Sequence, residues 1–97
     1  MVKFALLVRL EAKPGKEAEV ESFLKSGLAL VQEEPGTQTW YALKTGAGTY
    51  GIFDTFDDED GRHAHLSGKV AEALMAKADD LFSKPPVIEK VDLLAVK

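Results

Sequence analysis

Residues 37–56 read TQTWYALKTGAGTYGIFDTF, and the fold turns on how this stretch divides. Thr37 to Lys44 and Thr49 to Phe56 are rich in Thr, aromatic and β-branched side chains, which suit a pleated, half-buried surface. The connection Thr45-Gly46-Ala47-Gly48 is short and glycine-bearing, so the two runs read as a β-hairpin. In simple register Trp40 stands opposite Phe53 and Ala42 opposite Gly51, while Tyr41 stands opposite Ile52 and Thr39 opposite Asp54. Ile52 and Phe56 have the character of core residues. Tyr41 and Asp54 are therefore expected to face the helices, with Trp40 and Phe53 on the opposite, open face.

Upstream, Val2, Phe4, Leu6, Val8 and Leu10 alternate with Lys3, Ala5, Leu7, Arg9 and Glu11, the period of a strand with one apolar face. Pro14-Gly15 ends it. Glu17, Glu19 and Glu21 then crowd the positive end of a helix whose apolar stripe is Val20, Phe23, Leu24, Leu28 and Val31, with Gly27 as a close-packing point. Glu34-Pro35-Gly36 stops that helix. Downstream, Asp57 to Asp60 offer N-caps for a short helix through His63 and His65, interrupted at Gly68. A second helix is expected from about Lys69 to Phe82, on the stripe Val70, Ala73, Leu74, Ala78 and Leu81. Pro85-Pro86 stops it, and Val87 to Val96 reads as a last strand, apolar on both faces from Leu93 onward. The order β-α-β-β-α-β within a single domain, residues 1–97, predicts a ferredoxin-like α+β sandwich with a four-stranded antiparallel sheet and helices on one face. Trp40 and Phe53 on the other face form a patch that a monomer rarely exposes, so a second sheet is expected to cover it.

Composition narrows the function. Lys+Arg 12 against Asp+Glu 16 gives a net charge of −4, with no basic stripe, which excludes nucleic acid and anionic membrane surfaces as partners and leaves small molecules or proteins. With no cysteine, disulfides, thiolate nucleophiles and Cys-based metal centres are excluded. His63 and His65, two residues apart on a helix, point about 200° away from each other and cannot chelate one ion, so no metal is expected. No glycine-rich strand-to-helix fingerprint marks a flavin or nicotinamide site, so no cofactor is expected either. The apolar run Phe4 to Val8 is too short for an export signal or a membrane span, and a cytoplasmic location is expected.

The first strand followed by Pro14-Gly15, the helix, Glu34-Pro35-Gly36, the hairpin, Phe56-Asp57-Asp58 and Ala64-His65-Leu66 together resemble the antibiotic biosynthesis monooxygenase family of dimeric α+β barrel proteins. The resemblance spans nearly the whole chain and lies in the order and spacing of short motifs. It implies a homodimer joined through the open sheet face at Trp40 and Phe53, with a pocket between sheet and helices in each protomer. It also implies oxidation of a quinol or of a polyphenolic, anthrone-like aromatic by O2 without metal or flavin. His65 matches the family's histidine and is the candidate base, titrating near neutrality when unperturbed. Asp54, among Tyr50, Ile52 and Phe56, is a second candidate acceptor whose burial would raise its pKa. Tyr41, Ile52, Phe56 and Leu74 are the candidate substrate-binding walls. Phe56 stands where many members carry Trp, Ser67 to Val70 supply no second histidine, and Ile52 stands where the anthrone-oxidising members carry Asn. A non-catalytic dimeric protein that binds a small apolar ligand is therefore the alternative.

Overall fold

Alternation in the first strand and the two stops at Pro14-Gly15 and Glu34-Pro35-Gly36 set the chain's course in the computed structural model, which describes residues 1–97. The elements are β1 (Phe4–Glu11), α1 (Glu17–Val31), β2 (Thr37–Gly46), β3 (Thr49–Phe56), α2 (Glu59–Leu66), α3 (Lys69–Leu81) and β4 (Val87–Asp92). The strands form one antiparallel sheet in the order β2-β3-β1-β4, the ferredoxin-like α+β arrangement. Leu6, Val8 and Leu10 of β1 and Ile52 and Tyr50 of β3 are buried on one face. Val20 and Leu24 of α1 and Leu74 and Leu81 of α3 close the core over them. At Gly27 α1 packs closely against its neighbours: a methyl group there would lie 3.3 Å from both Trp40 Cη2 and Val70 Cγ2.

The short α2 is held at its start and at its middle. Asp58 caps it, its Oδ1 accepting from the Gly61 amide at 2.7 Å. One turn on, the buried Arg62 donates from Nη1 to the carbonyls of Ala5 and Val91, both at 3.3 Å, pairs with Glu59, and lies over the Phe4 ring at 5.1 Å. Its guanidinium thus ties α2 to adjacent strands β1 and β4, which fixes the height of His65 above the sheet.

Two expectations are corrected. The hairpin is slipped by one residue from simple register: Trp40 pairs with Asp54, Tyr41 with Phe53 and Ala42 with Ile52. The cause is the turn. Gly48, at φ 77°, closes a tight connection that pairs Gly46 with Thr49, and an irregularity between Lys44 and Gly46 leaves Thr45 as an extra residue on β2. Tightening the loop by two residues and returning one at the bulge leaves a net shift of one, which sends the side chains from Thr39 to Lys44 to the other face, until a second irregularity between Thr37 and Thr39 restores the simple register at Thr37. Trp40 therefore lies on the helix side, and Tyr41 is on the open face, 53% exposed. The last strand also ends at Asp92 rather than Val96. Its sole neighbour is β1, whose first residue, Phe4, pairs with Asp92, so beyond one further bond from the Leu93 amide to the Lys3 carbonyl β4 has no strand to pair with. Leu94 is accordingly 98% exposed.

Candidate functional site

Asp54 and Phe56 enter the core from β3, and His65 descends on them from α2. Asp54 is fully buried (0% exposed) and His65 nearly so (7%). The imidazole sits between two carboxylates: Nδ1 is 2.6 Å from Glu34 Oε1, and Nε2 is 2.9 Å from Asp54 Oδ2. The first contact is a well-formed hydrogen bond. The second is a close charge contact without that alignment, and neither Asp54 oxygen meets an aligned donor from the chain. Thr37 Oγ1 donates to the same Glu34 Oε1 at 2.8 Å and steadies it. The Phe56 ring lies 5.5 Å from the imidazole, tilted by 43°.

Burial by itself would lower the His65 pKa, since it penalises the charged imidazole. Hydrogen bonds and charge from Asp54 and Glu34 outweigh it and hold the pKa above the ordinary value. The magnitudes agree: each carboxylate at about 4 Å contributes about 4 kcal/mol at an effective dielectric of 20, against several kcal/mol for desolvating one ion. His65 is thus favoured as an imidazolium, with Nδ1 hydrogen-bonded to Glu34 and Nε2 in charge contact with Asp54.

Beside His65 lies an apolar pocket walled by Leu6, Val8 and Ile52 of the sheet, Phe23 and Leu24 of α1, and Val70 and Leu74 of α3. Trp40 and His65 bring the polar groups to its wall, and Ile88 of β4 is the one exposed side chain at its mouth. The free space is about 30 Å³, room for one or two waters, so a larger ligand has to displace the mouth residues.

Of the residues singled out from the sequence, His65, Asp54 and Phe56 come together, and Ile52 and Leu74 line the pocket. Tyr41 does not; the register slip puts Trp40 in its place. Glu34 was read solely as part of a helix stop. No local pattern links it to His65, 31 residues away, although Glu34-Pro35-Gly36 did mark a tight, well-defined corner. No group of three or more His, Cys, Asp or Glu side chains has the arrangement of a metal site.

No protein-family model matches the sequence, and no curated protein does. Among solved structures, NE2512, a protein of unknown function from Nitrosomonas europaea, superposes with a TM-score of 0.97 at 60% identity, over 100% of this chain and 94% of that one. The chain belongs to the NE2512 family. More distant structures share the fold of this family. Rv0793 from Mycobacterium tuberculosis matches with a TM-score of 0.85 at 14% identity, over 97% of both chains. A "putative antibiotic biosynthesis monooxygenase" from Caulobacter crescentus matches with a TM-score of 0.82 at 24% identity, over 97% of this chain and 92% of that one. The NE2512 family is thus built on the same ferredoxin-like sheet and helices as these proteins.

Proposed function

We propose that the chain is a cofactor-independent oxygenase of the antibiotic biosynthesis monooxygenase type, using O2 on a quinol or a polyphenolic, anthrone-like aromatic. The observation that carries this reading is the proton-accepting unit Asp54–His65–Glu34 against an apolar pocket, since removal of a proton is the one step such chemistry demands of the protein. For an activated CH2, the proton goes to the Asp54–His65 pair and the carbanion reduces O2 and bonds to it. Loss of water from the resulting hydroperoxide leaves a carbonyl. One oxygen atom is retained, the other leaves as water, and no outside reductant is required. Because His65 is favoured as the imidazolium, the Asp54 carboxylate is the acceptor and His65 steadies the charge beside it. Ile52, Phe56 and Leu74 are walls, and Trp40 takes the place expected for Tyr41.

The active unit in this reading is a homodimer. Leu7, Leu43 and Phe53 with Tyr41 share the open sheet face, an apolar surface suited to a second copy. The test is oxygen consumption on a panel of quinols and anthrone-like phenols, comparing wild type with His65→Ala. A loss of about 10²-fold or more is expected, and an unchanged rate on a substrate that wild type turns over refutes the assignment. The alternative, a dimeric binding protein, is favoured by the small free space and by the occupation of both imidazole nitrogens. Binding across the panel with no oxygen uptake would establish it.

A further inference from the structure

Four residues carry buried polar atoms with no hydrogen-bond partner, Glu34 at Oε2, Arg62 at Nε, Trp40 and Asp54, and the last two stand on neighbouring strands. Trp40 Nε1 is a buried donor with no acceptor, and both oxygens of Asp54 are buried acceptors with no aligned donor, Oδ1 without any partner and Oδ2 in charge contact with His65 Nε2 at 2.9 Å. They belong to cross-strand partners: Trp40 pairs directly with Asp54, so their side chains leave the sheet side by side on the same face. The Trp40 ring is fixed by Gly27, which its Cη2 and Cζ2 corner approaches so closely that an added methyl would lie 3.3 and 3.4 Å away. The N–H is on that same edge of the indole and is held inside. A buried donor or acceptor left unpaired is destabilising, because it has given up its hydrogen bonds to water without replacement. Such a pair is sustained where a ligand supplies both missing partners.

The chemistry of the pair selects the ligand group. A carboxylate would satisfy Trp40 and be repelled by Asp54. An ammonium would satisfy Asp54 and leave the indole unpaired. An ether or ketone accepts from Trp40 and again leaves Asp54 unmatched. A hydroxyl, one donor and two lone pairs on a single atom, satisfies both. Apart from Trp40 and His65 the pocket wall is apolar, which suits a hydrocarbon ring as the carrier of that hydroxyl.

We propose that the pocket recognises its ligand by one hydroxyl bridging the indole N–H of Trp40 on its wall and the carboxylate of Asp54, the cross-strand partner beside Trp40, so that Trp40 is the residue that selects a hydroxyl-bearing ring. The naming of an aromatic carrier rests on the oxygenase reading above; the bridge itself rests on the paired unsatisfied groups. It also aims the hydroxyl hydrogen at Asp54 and leaves the indole N–H to stabilise the oxygen as charge develops on it.

The test uses phenol, anisole and toluene, similar rings that offer a full hydroxyl, an acceptor without a donor, and neither. Calorimetric titration of the wild-type protein is expected to show phenol binding at least about tenfold more tightly than toluene, although toluene is the more hydrophobic, with anisole no better than toluene. Trp40 is the sole tryptophan, so its single indole N–H resonance is expected to move downfield with phenol and not with toluene. Trp40→Phe, which keeps a ring and loses the N–H, should bring phenol and toluene within about threefold of one another. Equal binding of phenol and toluene by wild type, an unmoved indole resonance, a preference that survives Trp40→Phe, or no binding of any of the three overturns the proposal. Phenol binding through Trp40 without oxygen uptake on the wider panel would defeat the oxygenase reading alone. Turnover with no phenol preference would defeat the bridge alone.

Discussion

Gly36→Ala is a sharp perturbation of the corner that holds Glu34 against His65. Gly36 and Gly61 meet backbone to backbone: a methyl on Gly36 would lie 2.9 Å from the Gly61 Cα. Ordinary carbon–carbon contact is about 3.5–4.0 Å, so the corner and α2 must part by about 0.6–1 Å. Gly36 is not among the positive-φ glycines, so alanine is conformationally admissible and the effect is steric. Carried to Glu34, the displacement stretches the 2.6 Å contact with Nδ1 to the edge of hydrogen-bond range. Overpacking costs about 1–3 kcal/mol and a weakened charged hydrogen bond up to about 1.5–3, offset by about 0.4–1 because alanine restricts the unfolded chain. A net loss of about 2–4 kcal/mol lowers Tm by roughly 10–25 °C in a domain this size. Thermal unfolding followed by circular dichroism measures it, and an NMR titration of His65 should show its pKa falling at the same time. A variant with wild-type Tm and an unchanged His65 titration would refute the argument that this glycine contact sets the Glu34–His65 geometry.

His65 should remain an imidazolium above the ordinary pKa of about 6.5, and because the fold raises that pKa, its contribution to stability is complete below about pH 6.5 and is lost as pH rises through the folded value. Ring chemical shifts that titrate at or below 6.5 would contradict this. Phe53→Asp on the open sheet face should convert a micromolar homodimer to monomer with helices and sheet retained, since an unpaired carboxylate there would have to be buried on association. Sedimentation of the wild-type chain as a monomer would count against the dimer at once.

Much of the architecture was legible because it depends on local rules. The β1 alternation, the stop at Glu34-Pro35-Gly36, the Asp58 cap and the break at Gly68 each follow from a few neighbouring residues. The ends of β4 and the hairpin register were not. β4 stops because its partner β1 begins at Phe4, a fact about pairing that no composition within Leu93 to Val96 encodes. The register was hidden because Trp40 and Tyr41 are adjacent aromatics, so either parity gives an acceptable β2. The Thr45 bulge decides between them. In the site, burial of Asp54 could be anticipated from the core character of its strand neighbours Ile52 and Phe56, whereas that of His65 was not read from the sequence. Glu34 could not be anticipated, since its role arises when a corner between α1 and β2 is pressed onto α2 by two facing glycines.

The extra residue at Thr45 makes loop length an inherited selector of pocket chemistry. Deleting or inserting one residue between Thr45 and Gly48 would move an indole out of the interior and a phenol ring in, with no substitution at either aromatic position. In a set of homologues, then, the length of this turn should covary with which of two consecutive columns carries the inward aromatic. An alignment that places gaps by residue likeness would pair an inward side chain with an outward one. Aligning these chains by strand parity counted from the bulge would keep pocket residues in the same column, and divergence in ligand preference could then be traced to a change in length rather than in side chain.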